Sequence, residues 1–453
     1  MSSKHAENST STADSESVED LPLPPSPPGY PILGNTLQYA SDPFEFHDSA
    51  VEEYGDVVRM DLVGGDIYLM AHPDFFERAM VTQQDAFEKT DDFEIAFGEN
   101  LNAVEGEQWE RQNEALQEFF YPGKIRAYAE SMVDMIEARM ELWEDGGEIS
   151  LHGQMKDVAL EILFGTIFDR PLDPEGDEEL RWAANSLNEY FNPSSLVLPD
   201  WLPTPARHRF KKGKGRLNRE ARRLLAEREE EGGTGDDLLS TMVEVRNSDS
   251  ELITETEMID QVAGLTFAGH DTSGLSMAFA WHLLGNHPDV RERFYEELDD
   301  VLGGDRPTID DIGDLTFTRK IMQETMRRHT PVHTVPRRAA KDIEAHGYRI
   351  PEGADMHLSI HRVHRDPRFW DDPLEFKPSR WDDMSTIDKR YAYIPFGEGP
   401  RSCIGERFAK LEQLLVLATI GQKYHLEPQS ELDFAPEMTS QPSNPLPTTV
   451  HER

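Results

Sequence analysis

The chain contains a single cysteine, Cys403, in the segment FGEGPRSCIG at positions 396–405. The glycines and proline before it predict a tight loop, and an apolar pattern predicts a helix from about Ile404 to Gly421 immediately after it. The free N–H groups and the dipole at the start of a helix favour negative charge, so we expect a lowered thiol pKa and a thiolate. Such a thiolate could be a nucleophile, a redox sensor or a metal ligand; a buried, inert cysteine is the alternative.

The longest predicted helix carries a second group of residues that could do chemistry. Thr254 and Glu257 have the spacing of a capping box, and His287-Pro288 ends the pattern about 30 residues later, roughly 45 Å of helix. Its middle, AGHDT at 268–272, places small and polar residues where a core helix should be apolar. A threonine can bond back to the carbonyl four residues earlier and open the helix to water, and an aspartate can transfer protons. The alternative is a kinked, buried helix with a satisfied aspartate.

Both segments resemble signatures of the cytochrome P-450 family. The pattern F-G-x-G-x-R-x-C-x-G is that family's haem-binding signature, and the chain matches every fixed position through Gly405. The resemblance implies that Cys403 is the proximal thiolate ligand of the iron of haem b. It also implies that Phe396 packs near the sulfur and that Arg401 pairs with a haem propionate. A thiolate ligand donates electron density that favours cleavage of the O–O bond.

The segment AGHDT resembles the family's oxygen-activating motif A-G-x-D/E-T. By that resemblance Asp271 and Thr272 are catalytic: the aspartate relays protons from solvent and the threonine hydroxyl organises water. His270 occupies the variable position, and we expect it to bind no metal. The oxygen and substrate pocket is predicted to be lined by Phe267, Ala268 and Gly269, of which Ala268 and Gly269 leave room beside the iron because they lack bulk.

Further motifs follow in family order. Glu324 and Arg327, spaced i, i+3, are a weak signal alone, because surface Glu/Arg pairs are common. In the family such a pair joins a downstream arginine in a buried structural triad, and here Arg380 supplies that third member. Trp109 resembles the start of a W-x-x-x-R landmark that binds a propionate, but Asn113 stands where the arginine is expected. Arg111 lies on a different helix face and is a poor substitute.

Arg337 ends the segment PVHTVPR at 331–337, which resembles the family segment whose arginine reaches a propionate. Haem carries two carboxylates that need charge-assisted hydrogen bonds inside a largely apolar pocket. A surface salt bridge is the alternative role for this arginine.

The predicted architecture is mainly α with a small β-rich portion. Val58, Met60 and Leu62, followed by Gly64-Gly65, indicate a hairpin, and helical patterns dominate from about residue 74. The resemblance implies one cytochrome P-450 domain over 28–453, with a long central helix over the haem and the cysteine loop on its proximal side. Residues 1–27 are polar and then proline-rich, and we expect a mobile tail.

The 453 residues include 45 basic and 87 acidic side chains, a formal net charge of −42. This balance argues against nonspecific nucleic-acid binding, which needs Lys and Arg to neutralise phosphates. Because the acids are dispersed, they favour a halophilic protein kept soluble in concentrated salt over a local docking patch for a basic partner. No secretory pattern and no uncharged stretch of membrane-spanning length is visible, so we expect a cytoplasmic protein.

The predicted reaction is insertion of one oxygen atom of dioxygen into a hydrophobic small molecule, of the lipid, fatty acid or terpenoid class. Aromatic residues at variable positions fit such a ligand or plain core: Phe93, Phe97, Tyr190 and Phe191. The chain has no G-x-G-x-x-G after a strand, and one cysteine cannot hold an iron–sulfur cluster, so a separate ferredoxin or flavoprotein must supply electrons. The alternatives are a peroxide-driven hydroxylase or rearrangement enzyme and a non-catalytic haem carrier or sensor.

Overall fold

The computed structural model describes residues 17–191, 203–248, 252–384, 389–435 and 437–453. Helices make up most of these residues, as the sequence predicts. In the first half of the chain the helices are α1 Thr36–Ser41, α2 Pro43–Tyr54, α3 Pro73–Glu77, α4 Asp92–Phe97, α5 Gly106–Gln117, α6 Pro122–Ala127, α7 Ala129–Met140, α8 Leu151–Ile162 and α9 Glu178–Asn185. The later helices are α10 Pro205–Glu230, α11 Leu238–Ser248, α12 Glu255–Thr266, α13 Thr272–Asn286, α14 Pro288–Leu302, α15 Thr316–Arg328, α16 Ile360–Val363 and α17 Glu406–Lys423.

Within the described ranges the strands form three small sheets. Their bounds are β1 Val57–Leu62, β2 Gly65–Met70, β3 Phe87–Glu88, β4 Glu148–Ser150, β5 Thr334–Ala339, β6 Ile343–Ala345, β7 Tyr348–Ile350, β8 Asp355–Ser359, β9 Tyr424–Pro428 and β10 Pro447–Glu452. The largest sheet has the order β1-β2-β8-β5-β3, and its β1–β2 pair is the predicted hairpin, with Leu62 opposite Gly65. The other sheets are β4-β10-β9 and the β6–β7 hairpin.

The central helix is continuous but changes geometry halfway. Thr254 accepts a bond from the Glu257 backbone N–H while the Glu257 side chain accepts from the Thr254 N–H, so the predicted capping box is confirmed. A π-helical segment, Phe267–Asp271, separates α12 from α13, and it coincides with the polar interruption seen in the sequence. Nearly every side chain of α13 is buried, as expected for a helix that crosses the middle of the molecule.

Residues 17–27, the described part of the predicted tail, run beside the strands. The Arg59 N–H donates to the Pro25 carbonyl and the Arg349 N–H to the Pro22 carbonyl. The chain is therefore anchored to the β-rich region several residues before position 28. Residues 1–16 lie outside the described part of the chain.

Candidate functional site

The backbone around Cys403 is the tight loop that its glycines predict. The Cys403 N–H donates to the Phe396 carbonyl at 2.9 Å, which closes the loop on itself. Gly399 has a positive φ of 77°, and a Cβ there would lie 2.3 Å from the carbonyl oxygen of Met80. Only glycine fits this contact. The following helix, α17, begins at Glu406 with Gly405 as its N-cap, slightly later than predicted.

The predicted lowering of the Cys403 pKa is wrong for the protein alone. Burial raises the pKa of the thiol to about 11, and a hydrogen bond from the Gly405 backbone opposes that shift only in part. The cost of desolvating the thiolate outweighs the stabilisation that the N-terminus of α17 gives it. The Cys403 side chain nevertheless has accessible surface, so a ligand can reach it. A metal ion that replaces the proton would supply the missing counter-charge.

Arg401 and Trp109, both predicted to contact a haem propionate, meet beside this loop. The Arg401 guanidinium stacks on the Trp109 ring at 4.9 Å, donates to the Val104 carbonyl at 3.2 Å and lies 3.5 Å from the Glu105 carboxylate. Arg337 lines a cavity of about 260 Å³ together with Arg401 and Glu105. This geometry brings Trp109, Arg401 and Arg337 to one side of the cysteine loop.

Arg337 has few partners for a guanidinium held inside the protein. Among the described residues, its guanidinium donates to the neighbouring Pro336 carbonyl at 2.8 Å. Burial and the nearby Arg401 lower its pKa to about 10, against an opposing effect of Glu105. An inward-facing guanidinium with unused donors suits an anionic ligand such as a carboxylate, so the surface-salt-bridge alternative is not supported.

Sequence reasoning missed a third cation in this region, Lys89. Its ammonium donates to the carbonyls of Asn102 at 2.7 Å and Val104 at 3.1 Å. Burial and the nearby Arg401 and Arg337 lower its pKa to about 7. Three basic groups therefore converge where a dianionic ligand would be held, which fits the two carboxylates of a haem. A lysine followed by polar residues gives no distinctive signal in one sequence.

Arg111 does not replace the arginine that is missing at position 113. Arg111 turns away from the cavity and binds the buried Glu257 carboxylate at the start of α12, at 2.8 Å, together with the Leu252 carbonyl. These bonds keep the pKa of Glu257 at about 2 despite its burial. Arg111 therefore braces α5 against the central helix, in keeping with the expectation that it is a poor substitute for the missing arginine.

The predicted triad forms completely. Both Arg327 and Glu324 are fully buried and share two hydrogen bonds of 2.9 Å. Arg380 donates to the same carboxylate at 3.3 Å. Arg327 also donates to the carbonyls of His364, Pro373 and Glu375. Because its donors and acceptors are paired, the triad fixes residues 364–380, which follow β8, against α15. This role is structural.

Asp271 lies in a buried charge network that no local pattern indicated. Its carboxylate receives the Lys156 ammonium of α8 at 2.8 Å and the Asn188 amide at 2.6 Å. Thr439 and Gln441, from the segment before β10, complete the shell at 2.8 and 2.9 Å. Lys156 and these donors hold the pKa of Asp271 well below its usual range, although burial alone would raise it. The residue is ionised.

Thr272 has the geometry expected of a helix-opening residue. Its hydroxyl donates to the Ala268 carbonyl at 2.5 Å, within the π segment. Ala268 and Thr272 are both partly accessible in the middle of an otherwise buried helix, so they face internal space. Gly269 is partly accessible as well, and a Cβ there would lie 3.2 Å from the Leu163 side chain, just past the end of α8.

The neighbouring Gly274 explains how Lys156 reaches Asp271. A Cβ at Gly274 would lie 2.9 Å from the Lys156 Cα, so only glycine lets α8 approach the central helix this closely. His270 is buried, and its Nε2 has no partner among the described residues. Burial and Lys156 lower its pKa well below the usual range, so its ring is neutral.

A second buried carboxyl adjoins the motif from the opposite helix. Glu412 of α17 accepts a hydrogen bond from the Ser273 hydroxyl at 2.6 Å. Burial raises its pKa to about 8, against this one opposing bond. The side chain is therefore protonated at neutral pH. The sequence signal that could have indicated this group is a glutamate among the apolar positions of α17, beside Leu411 and Leu415.

The predicted substrate-contact aromatics pack mainly on one another. The Phe267 ring lies 4.7 Å from Phe97, 5.6 Å from Phe191 and 6.3 Å from Phe93. Of these, Phe191 lines a cavity of about 340 Å³, whose wall is mostly apolar and includes Tyr39, Ile67, Met356 and Met438. Substrate contacts are also expected along residues 185–198, of which 192–198 lie outside the described part of the chain.

Comparison with known proteins identifies the architecture. A model of the family "Cytochrome P450" matches residues 24–450. Pentalenene oxygenase from Streptomyces avermitilis is 30% identical over 422 residues, 91% of this chain and 93% of its own. Cyclooctat-9-en-7-ol 5-monooxygenase from Streptomyces melanosporofaciens is 29% identical over 411 residues, 89% of each chain.

The chain belongs to the cytochrome P450 family. The solved structure of retinoic acid-bound cyanobacterial CYP120A1 superposes with a TM-score of 0.85 at 23% identity, covering 96% of this chain and 100% of that one, which shows the same fold. The predicted fold class is confirmed, and the protein is a haem-dependent monooxygenase. Within the described residues no helix is long and apolar enough to cross a bilayer.

Proposed function

We propose that this cytochrome P450 hydroxylates a terpenoid-class hydrophobic substrate, using haem b held by Cys403 and electrons from a separate ferredoxin or flavoprotein. The observation that carries the cofactor assignment is the convergence of Lys89, Arg337 and Arg401 beside the loop that bears the accessible thiol. When bound, the haem binds and activates dioxygen. Holding the cofactor, admitting water and moving protons are the tasks of the protein's own residues.

The cysteine loop and the basic groups hold the cofactor. Cys403 would hold the iron as a thiolate, and the N–H of Gly405 would stabilise the sulfur charge. Arg337 and Arg401 would donate to the propionates. The stack on Trp109 orients the Arg401 guanidinium for that contact.

The opened central helix handles water and protons. Because the Thr272 hydroxyl donates to the Ala268 carbonyl, its oxygen lone pairs are free to accept a hydrogen bond from a water in the cavity. Asp271 is ionised and occupied by several donors, so a proton passes through it only when one of those donors turns away.

The cofactor assignment is tested by Cys403→Ser. The reduced, carbon monoxide-bound wild-type protein should show the red-shifted Soret band of a thiolate ligand, and the variant should lose it. Arg337→Gln should keep the band but lower haem retention on dilution, since one propionate loses its cation. An unchanged band in Cys403→Ser would refute the ligand assignment.

The roles of Thr272 and Asp271 are tested by how well electrons are coupled to product. Thr272→Ala should still consume reductant but release hydrogen peroxide in place of product, whereas the matched Thr272→Ser keeps a hydroxyl and should stay coupled. Asp271→Asn should lower turnover by about 10²–10⁴-fold, the usual contribution of acid–base groups. Equal coupling in Thr272→Ala and the wild type would exclude the hydroxyl role.

The substrate class rests on two supports. The cavity beside Phe191 is mostly apolar, and the relatives named above are described as oxygenases of pentalenene and of a cyclooctatenol. A panel of cyclic terpenes, linear fatty acids and retinoids, followed by the spin-state shift of the haem, should show its largest shifts with the terpenes. A shift confined to fatty acids would overturn the terpenoid assignment.

The electron donor is proposed to dock on the proximal face. Arg407 is exposed at the start of α17, and Lys410 is half exposed and paired with Glu406. In so acidic a protein such local cations are the natural contact for an acidic donor. Arg407→Glu with Lys410→Glu should slow reduction of the haem iron by the donor but not by dithionite. Equal rates with the donor would refute the surface.

The dispersed acidic surface supports a cytoplasmic protein of a salt-rich cell. Activity and unfolding temperature should both rise with potassium chloride into the molar range, because salt screens the self-repulsion of a net charge of −42.

The two rival functions are separated by product formation. A peroxide-driven enzyme forms product without reductant, and a haem carrier forms none under any condition.

A further inference from the structure

A cluster of metal-binding side chains lies far along the sequence from the cysteine loop. His72 precedes α3, Asp74 lies in its first turn, and His346 forms the turn between β6 and β7. One ligand atom from each of the three lies within 4.8 Å of the others, which among the described residues is the one such group of three. Neither the haem site nor the proposed mechanism uses any of them.

The distances suit a small cation. The Asp74 Oδ2 lies 3.3 Å from the Nδ1 of His72 and 3.7 Å from the Nε2 of His346. Ligand atoms around a tetrahedral zinc ion, with bonds near 2.0–2.1 Å, are about 3.3 Å apart. The Nδ1 of His72 also accepts a long, 3.3 Å bond from the Asp74 N–H, a weak contact that a metal ion would replace.

The second nitrogen of His346 has the partner that metal-bound histidines usually have. Its Nδ1 faces the Asp56 carboxylate at 3.7 Å, and Asp56 in turn is fixed by the Arg368 guanidinium at 3.0 Å. A carboxylate behind a histidine sets the tautomer and raises the basicity of the nitrogen that binds the metal. This arrangement presents Nε2 to the cluster.

The backbone and the ring packing point the same way. His346 and Gly347 have φ values of 48° and 86° in a two-residue hairpin turn, where Asn, Asp and Gly are favoured. A histidine there costs conformational energy, which a side-chain role would offset. The His346 ring packs on Phe75 at 4.5 Å and the His72 ring on Phe369 at 5.5 Å, so both rings are held in place.

We propose that His72, Asp74 and His346 form a second metal site of this protein, which takes one zinc ion or a similar borderline transition metal and leaves a position for water. Two imidazoles and one carboxylate favour zinc over magnesium or calcium, which prefer oxygen ligands only. The ion joins α3 to the β6–β7 hairpin. It is structural, and it is independent of the oxygenase reaction.

The test is equilibrium dialysis of the haem-loaded protein against zinc in molar salt, with millimolar magnesium to occupy carboxylate-only sites. The wild type should bind one zinc per haem above the level of His346→Asn, which removes the ligand but suits the turn. Asp56→Asn should weaken binding by about 10–100-fold, the usual effect of removing such a supporting group. The matched control His451→Gln removes an imidazole from the partly buried stacked pair with His425 and should bind as the wild type does.

Equal zinc binding by the wild type and His346→Asn overturns the site, and so does an equal loss in His451→Gln. An unchanged haem spectrum in each variant verifies the fold. Because the readout is zinc and not product, failure here leaves the oxygenase assignment intact, and failure of the oxygenase assignment leaves this result readable.

Discussion

Two buried carboxyl groups flank the same stretch of the central helix and have opposite charge states. Asp271 and Glu412 are each 1% exposed, so burial does not distinguish them. Lys156 and several neutral donors hold the pKa of Asp271 well below its usual range, whereas Glu412, with one serine hydroxyl, has a pKa of about 8. The comparison teaches that the partner supplied from a neighbouring helix, and not depth, decides which acid is ionised.

This division suits the reaction. The ionised acid lies on the α8 side of the π segment, where donors could exchange with water, and the protonated acid lies on the α17 side. Breaking either partnership should therefore change stability, and its pH dependence, in different ways.

Removing the cation from the first pair should have the largest effect. Lys156→Met leaves the buried Asp271 charge without its ion-pair partner and should lower the free energy of unfolding by about 3–5 kcal/mol at neutral pH. Guanidinium unfolding at fixed salt measures it. In the double variant with Asp271→Asn most of the loss should be recovered; equal losses in single and double variants would contradict a charge-pair origin.

Glu412→Gln sharpens the comparison through pH. The raised pKa means that the native state retains a proton that the unfolded chain releases, so wild-type stability falls as pH rises from the unfolded value near 4.5 toward 8. The variant cannot ionise, so relative to the wild type it should gain roughly 3–4 kcal/mol between pH 5 and pH 8. Unfolding midpoints at the two pH values measure this gain, and a constant difference would exclude a protonated Glu412.

Asp271 should behave in the opposite sense. Its lowered pKa contributes stability that is present above the unfolded value near 3.8 and is lost as pH falls below it.

Gly274→Ala tests the helix approach that supplies Lys156. The added Cβ would meet the Lys156 backbone, so α8 must move away, and we expect a loss of about 1–3 kcal/mol. The matched control is Gly215→Ala within α10, where the new Cβ would have only an arginine side-chain atom at 3.8 Å. That control should be neutral or stabilising, since alanine is the better helix former. Equal losses in the two variants would show that helix spacing is not the cause.

Ser273→Ala should have the smallest effect. It removes the hydrogen bond to Glu412 and should cost about 1 kcal/mol, while raising the pKa of Glu412 further because that bond opposes the burial shift. Ser276→Ala, which loses its bonds to the Ser273 carbonyl and Gln413, is the control without a titratable partner. Its cost should be similar and independent of pH, and a pH dependence shared by both variants would contradict the assignment.

The features that were predictable depend on short spacing or on family motifs. The capping box, the β1–β2 hairpin and the opening at Thr272 are local, and each follows from residues within a few positions of one another. The triad of Glu324, Arg327 and Arg380 was predictable because its motifs resemble those of a known family.

The remainder depends on residues that only the fold brings together. Lys156, Asn188 and Gln441 share no motif with Asp271, and each looks like an ordinary polar residue in its own segment. The direction of the Cys403 pKa was mispredicted for the same reason: the helix end is visible in the sequence, but the surrounding atoms that desolvate the thiol are not.

The partners of Asp271 lie 83, 115, 168 and 170 residues away along the chain. Such distant contacts close late, after loop-closure entropy has been paid. The network should therefore be absent from the folding transition state, so weakening it would leave the rate of folding nearly unchanged and accelerate unfolding. The residues that serve the proton path would then also set how long each folded molecule lasts.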